Sequence, residues 1–235
     1  MNLKNTLARR LVAESLGTAF LLAIVIGSGI MGERLAGGNT AIALLANAIA
    51  TGAGLVALIL MLGGVSGAHF NPVVSLSEAW QGSLPVHEML LYILVQIAGA
   101  FAGVAAAHLM FGEPVFFASA HARSGIAQCW SEFIASFGLL AVIIGSSRSR
   151  PGTTPFAVAA YITAAYWFTS STSFANPAVT LARAASNTFA GIRPADVPGF
   201  IAAQFLGAAA ATLLFGWLYP RSEFKEDLQE NPTTG

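Results

Sequence analysis

His69-Phe70-Asn71-Pro72-Val73-Val74-Ser75-Leu76 and Phe174-Ala175-Asn176-Pro177-Ala178-Val179-Thr180-Leu181 are the two stretches whose reading decides the fold. Asn is a favoured N-cap, and Pro fits the first helical turn, where its missing N–H would have no partner anyway. Each Asn-Pro pair therefore marks a helix start. Irregular chain precedes both: Gly63, Gly64 and Gly67 before the first, and Thr169-Ser170-Ser171-Thr172-Ser173 before the second. The helices they open, over 70–80 and 176–187, are only about half a membrane long at about 1.5 Å per residue.

The surrounding chain makes a membrane the relevant yardstick. Of 235 residues, 55% are hydrophobic and 9% are charged. A soluble domain needs roughly a quarter of its residues charged to cover its outside. At about 20 apolar residues per crossing, six or seven spans would fit. Apolar stretches occur at 7–31, 39–62, 86–111, 124–146, 155–170 and 197–219, which makes six. The first runs past the roughly 7–15 residue core of a signal peptide and reads as a spanning helix. The fifth is short and opens after Pro151 and Pro155. Residues 1–220 read as one domain, and the polar stretch 221–235 as a disordered tail.

Charge adds orientation and excludes partners. Lys4, Arg9, Arg10, Arg148, Arg150, Arg221 and Lys225 fall on the side of the termini, against Arg34, Arg123, Arg183 and Arg193 on the other. The positive-inside rule then places both termini in the cytoplasm. Eleven basic against eleven acidic residues give no cationic excess for a nucleic-acid partner. The single cysteine, Cys129, permits neither an intrachain disulfide nor a cysteine metal cluster, and the four histidines lack metal-ligand spacing.

The halves, about 8–111 and 124–219, repeat one another. Ala13-Glu14-Ser15-Leu16-Gly17-Thr18 corresponds to Ser131-Glu132-Phe133-Ile134-Ala135-Ser136, and Gln96-Ile97-Ala98-Gly99-Ala100 to Gln204-Phe205-Leu206-Gly207-Ala208. Each half has three spans, an odd number, so the second copy sits inverted. Inverted repeats with broken helices place a site near the bilayer midplane. Irregular backbone at that depth must line a cavity or be buried in protein. The two half-helices are expected to enter from opposite faces and meet at Asn71 and Asn176, their positive ends toward a pore.

The paired Asn-Pro half-helices, the Ala-Glu-x-x-Gly-Thr opening and Ser66-Gly67-Ala68-His69-Phe70-Asn71-Pro72 resemble the major intrinsic protein family, the aquaporins and aquaglyceroporins, over about residues 8–219. The resemblance implies an all-α membrane protein of six transmembrane helices plus two re-entrant half-helices, a homotetramer with one passive channel per subunit, and no cofactor, metal or enzymatic activity. It places Asn71, Pro72, Val73, Asn176, Pro177 and Ala178 at the pore centre, where half-helix dipoles exclude cations. It makes Glu14 and Glu132 structural acids that hold the re-entrant loop of their own half. The first tripeptide departs from the family pattern by ending in Val73 rather than Ala.

The family's constriction carries over to Thr51, Ala164, Ser173 and Val179. None of these is aromatic, the ring's Arg is replaced by Val179, and the Asp that aquaglyceroporins place next is Thr180. Small residues imply a wide opening that passes something larger than water. Hydroxyls of Thr51 and Ser173 suit a polyol or a trihydroxylated metalloid acid. The combination resembles the bacterial branch associated with arsenic resistance, implying a channel in the bacterial inner membrane for arsenite, organic arsenicals or glycerol, whose partners are such solutes and membrane lipid. A water-selective channel and a coupled transporter are the competing readings; the second would need a paired ionisable site at the midplane.

His69 is expected at the cytoplasmic mouth. His87 and His108 read as packing residues and His121 as loop. Gly99-x-x-x-Gly103 and Gly207-x-x-x-Ala211 permit close helix packing. Trp80, Trp130 and Trp217 suit the interface. Arg183 lies four residues after Val179 and shares its helix face. It either snorkels to the outer surface or lends positive charge to the pore mouth.

Overall fold

The computed structural model describes residues 6–220; the tail read over 221–235 lies outside the described residues. The chain runs α1 (Leu7–Leu35), α2 (Thr40–Ser66), α3 (Pro72–Trp80), α4 (Val86–Phe111), α5 (Ile126–Ser149), α6 (Thr154–Phe168), α7 (Pro177–Arg183) and α8 (Val197–Leu218), with 3-10 turns at Pro151–Thr153 and Pro194–Asp196. No strand occurs among the described residues. Helices α1, α2, α4, α5 and α8 are long and apolar enough to cross a membrane. The sixth, α6, has 15 residues and spans only about 22 Å. The turn at Pro151–Thr153 leads directly into it.

Starts and stops follow local chemistry. Thr6 caps α1, and Asn39 caps α2 through Ala41 N and Ile42 N at 3.0 and 3.3 Å. Gly67 and Gly112 end α2 and α4 in the left-handed conformation, which glycine adopts without a Cβ penalty. Helix α7 stops at Arg183 instead of running to Asn187. The carbonyls of Ala184 and Ala185 instead accept from Ser119 N and Phe117 N, at 3.0 and 3.1 Å, of the segment joining α4 to α5.

The repeat is visible as packing. Helices α1 and α4 cross in the first half, as α5 and α8 do in the second. A Cβ on Gly99 would lie 2.2 Å from Ser15 O, and one on Gly207 would lie 2.3 Å from Phe133 O. Both neighbours are helix backbone and cannot rotate away. Gly99→Leu and Gly207→Leu should therefore force the pairs apart and lower thermal stability by about 1–3 kcal/mol or more. Gly216→Ala, where a Cβ meets nothing within 4 Å, should be neutral or mildly stabilising. Melting of the detergent-solubilised protein would rank the three.

The outside is apolar. Val12, Leu16, Phe20, Leu90, Leu94, Leu206, Leu213 and Trp217 are all exposed. The buried set instead includes Glu14, Gln96, Glu132, Arg183 and Gln204. Such an inverted distribution suits a multi-pass protein whose solvent is lipid and whose polar groups satisfy one another internally.

Candidate channel and its constriction

Asn71 Oδ1 accepts from Val73 N at 3.1 Å; Asn176 Oδ1 accepts from Ala178 N and Val179 N at 3.0 and 3.3 Å. These helix-start N–H groups are thus spent inside the cap. The two amides then cross: Asn71 Nδ2 donates to Ala175 O and Asn176 Nδ2 to Phe70 O, both at 2.8 Å. Each Nδ2 carries two hydrogens, so one per asparagine is left for the cavity both residues line.

Pro72, Val73, Pro177 and Ala178, expected beside them, do not line that cavity; they are buried where α3 and α7 meet. Helical geometry explains why the cavity passes them by. The residue three positions on returns to the face of the cap, and Val74 and Val179 are the next cavity-lining residues of their half-helices.

The loops that deliver the asparagines are held by the two buried glutamates. Glu14 accepts from Ser66 Oγ at 2.6 Å, His69 N at 2.9 Å, Phe70 N at 2.7 Å and Gln96 Nε2 at 2.9 Å. Glu132 accepts from Phe174 N and Ala175 N, both at 2.9 Å, and from Gln204 Nε2 at 2.6 Å. The second amide contact of each glutamine repeats too: Gln96 Nε2 reaches Ser75 Oγ at 3.0 Å, and Gln204 Nε2 reaches Thr180 Oγ1 at 2.8 Å. Ala68, Phe70, Thr172, Ser173 and Ala175 have φ of 51°, 49°, 62°, 53° and 47°. Left-handed backbone costs a non-glycine residue about 1–2 kcal/mol, and the carboxylates offset that cost. None of the five is Gly or Asn, so the sequence carries no signal of this geometry.

A cavity of about 290 Å³ runs past the asparagines, near the low end of small-molecule cavities. Its apolar wall consists of stripes with i, i+4, i+8 spacing: Thr51, Leu55 and Ile59 on α2; Leu139, Ile143 and Ser147 on α5; Val158, Ile162 and Tyr166 on α6. His69 lines it with its ring Nδ1 3.0 Å from Ser75 Oγ. On the far side of the asparagines stand Thr51, Ser173 and Val179, each under 5% exposed.

Ala164 does not join them. It is exposed on the outer face of α6, and Tyr166 takes its place, its hydroxyl 3.1 Å from Thr51 Oγ1. At about 100° per residue, Ala164 points roughly 200° away from both Ile162 and Tyr166. Thr51, Ser173 and Val179 thus share the cavity wall with an aromatic, tied by its hydroxyl to the neighbouring helix. Ser173 Oγ is buried and has no hydrogen-bond partner among the described residues.

Arg183 does not snorkel to the surface. It is 2% exposed, its guanidinium carbon lies 3.3 Å from the centre of the Phe174 ring, and its Nε donates to Ala190 O. It lines both the channel and a second cavity, of about 500 Å³, at the face opposite the described chain ends.

Arg123, which the sequence reading used only for charge counting, lies there too. Its guanidinium carbon is 5.0 Å from the Phe174 ring centre; Nε donates to Gly191 O at 2.8 Å and Nη1 to Ser171 O at 3.0 Å. Burial lowers the Arg123 pKa to about 10, which leaves it charged at neutral pH. His121 beside it is lowered by burial first and by the charges of Arg123 and Arg183 next, and stays neutral. His108, buried in α4, bridges Val115 O at 2.7 Å and Ser186 Oγ at 2.8 Å, as a packing residue would.

Crossing helices in two inverted halves, with opposed half-helices bracketing a cavity, make this a multi-pass membrane protein of inverted-repeat build. Residues 2–167 match the major intrinsic protein family, and the chain belongs to that family. It is 55% identical over 212 residues to the aquaglyceroporin AqpS of Rhizobium meliloti (strain 1021), covering 90% of this chain and 91% of that protein. It is 33% identical over 140 residues to aquaporin NIP1-3 of Oryza sativa subsp. japonica, covering 59% of this chain and 48% of that protein. Among solved structures, the aquaglyceroporin from Plasmodium falciparum is similar in fold, with a TM-score of 0.70 at 18% identity over 95% of this chain and 100% of that one.

Proposed function

We infer that the protein is a passive transmembrane channel for small uncharged polar solutes, with Thr51, Tyr166, Ser173 and Val179 as its constriction. Glycerol, arsenite and other trivalent metalloid acids, and organic arsenicals are the solutes that suit it, with water passing as well. Family membership and the likeness to an aquaglyceroporin support a solute channel rather than an enzyme. The observation that carries the solute reading is the pairing of Ser173 with Val179. Ser173, whose buried hydroxyl has no hydrogen-bond partner among the described residues, lines the cavity beside the apolar Val179. A solute with hydroxyls on one side satisfies that oxygen, whose burial unpaired would cost about 1–3 kcal/mol.

A coupled transporter is disfavoured by what the ionisable groups do. Glu14 and Glu132 are occupied by loop N–H groups and glutamines, and amides stand where the half-helices meet. The same reading takes the protein as a homotetramer in lipid, in a bacterial inner membrane, with both termini cytoplasmic as the arginine and lysine placement favours.

Proteoliposome shrinkage and reswelling with water, glycerol and arsenite on one preparation tests the reading. Glycerol and arsenite should pass, with non-saturating flux that stops when the gradient is gone. Water flux alone would leave a water-selective channel, and uphill solute movement would leave a transporter.

A further inference from the structure

Arg183 and Arg123 are two buried cations with no carboxylate in ion-pair distance, since the ion pairs among the described residues belong to Arg10, Arg34 and Arg193. A buried charge is costly unless paired. Asp196 does not serve, because Oδ2 takes the backbone N–H of Arg123 and Oδ1 takes Arg193 Nη2, both at 2.8 Å. Glu132 is the acid behind Phe174, and its oxygens hold two loop N–H groups and Gln204. Two guanidiniums against that one carboxylate leave a single net positive charge.

The unused donors point the same way. Both Nη atoms of Arg183 and Nη2 of Arg123 have no hydrogen-bond partner among the described residues. Arg183 is 2% exposed, yet it lines the channel and the outer cavity at once. The outer cavity is lined by both arginines, the neutral His121, Gln128, Ser170 and Thr172, with no acidic residue. Phe174 lies against both guanidiniums and holds their planes by cation–π contact.

We propose that Arg183 and Arg123, around Phe174, form a binding site for a small monovalent oxyanion where the outer cavity meets the channel. Planar guanidinium forks suit paired oxygen atoms, and one negative charge balances the net charge of the cluster. The anion there stands in the path between the cavity and the ring of Thr51, Tyr166, Ser173 and Val179. Its occupancy therefore obstructs neutral solutes, a consequence that rests on the channel reading, whereas binding itself does not.

Methanesulfonate is a suitable probe: it is a monovalent oxyanion that does not cross lipid as a neutral acid. The full-length protein in detergent would be melted in graded methanesulfonate, with chloride at equal ionic strength as reference, and glycerol flux measured in proteoliposomes across the same series. A ligand that binds only the folded state raises Tm saturably. The expected result is such a rise in the wild type, with glycerol flux falling over the same concentrations. Arg183→Lys should keep the rise with weaker half-saturation, and Arg183→Gln should weaken binding by about tenfold or more.

Should Arg183→Gln fail to fold, Thr172→Asp decides. Thr172 Oγ1 lies 3.4 Å from Arg123 Nη1, and its left-handed φ of 62° is one that Asp tolerates. The new carboxylate supplies the missing counter-charge and should abolish the methanesulfonate effect with both arginines in place. Equal melting in the two salts, or an undiminished rise in Thr172→Asp, would overturn the site. Normal glycerol flux without anion binding removes the site alone; anion binding without glycerol flux removes the channel reading alone.

Discussion

Val179→Arg should lower glycerol permeability by about tenfold or more, a barrier increase of about 1.4 kcal/mol, while water still passes. Val179 lines the cavity at 4% exposure, as Thr51, Tyr166 and Ser173 do, the four that make up the proposed constriction. An arginine there stands four residues before Arg183 on one helix face, so like charge keeps the two apart. The new guanidinium is pushed toward the lumen and Ser173. The space narrows, and a solute must then compete with a charged group for the serine. Stopped-flow light scattering on reconstituted wild type and variant would give both permeabilities. Equal glycerol flux in the two would show that Val179 does not border the narrowest point.

Glu132→Ala should abolish the folded protein. The carboxylate accepts three buried hydrogen bonds, two of them from the loop whose Thr172, Ser173 and Ala175 are left-handed. Hydrogen bonds to a charged group contribute about 1.5–3 kcal/mol each, comparable in sum with the roughly 5–15 kcal/mol that separates a folded protein from its unfolded chain. Glu132→Gln keeps one acceptor oxygen and turns an NH₂ toward the donors that used the other, so it should fold partially and melt well below the wild type. Gel filtration and melting of the three proteins would read this directly. A Tm within a few degrees of wild type in Glu132→Ala would mean the loop is held by its other contacts.

The sequence disclosed the parts of this fold that depend on composition and local pattern. Apolar runs marked the long helices, Asn71 and Asn176 marked the half-helix starts, and the matching Glu14/Glu132 and Gln96/Gln204 revealed the inversion. It misled where direction around a helix mattered. Counting along the chain selects Ala164, but two residues along a helix are nearly opposite faces, and Tyr166 lines the cavity instead. Likewise Asn71 and Asn176 line the cavity while Pro72, Val73, Pro177 and Ala178, next to them in the motifs, are buried away from it.

For Arg183 the sequence left two readings open, and for Arg123 it offered none, for another reason. Their burial depends on Phe174, Ala190, Gly191 and Ser171, which lie in loops outside the helices. Nothing local in the chain announces a guanidinium that stays inside.

The crossed asparagine bonds also set an order in time. Glu14, Ser66, His69, Phe70, Ser75 and Gln96 all lie within the first half, so the first loop can close on its carboxylate before the second half has been synthesised. Asn71 cannot complete its bonding then, because its partner is Ala175 O, and Phe70 O must wait for Asn176. The nascent chain thus carries an unfinished donor and an unfinished acceptor side by side at membrane depth. The arriving second half completes both at once, which makes the docking of the halves the step that commits the chain to its final form.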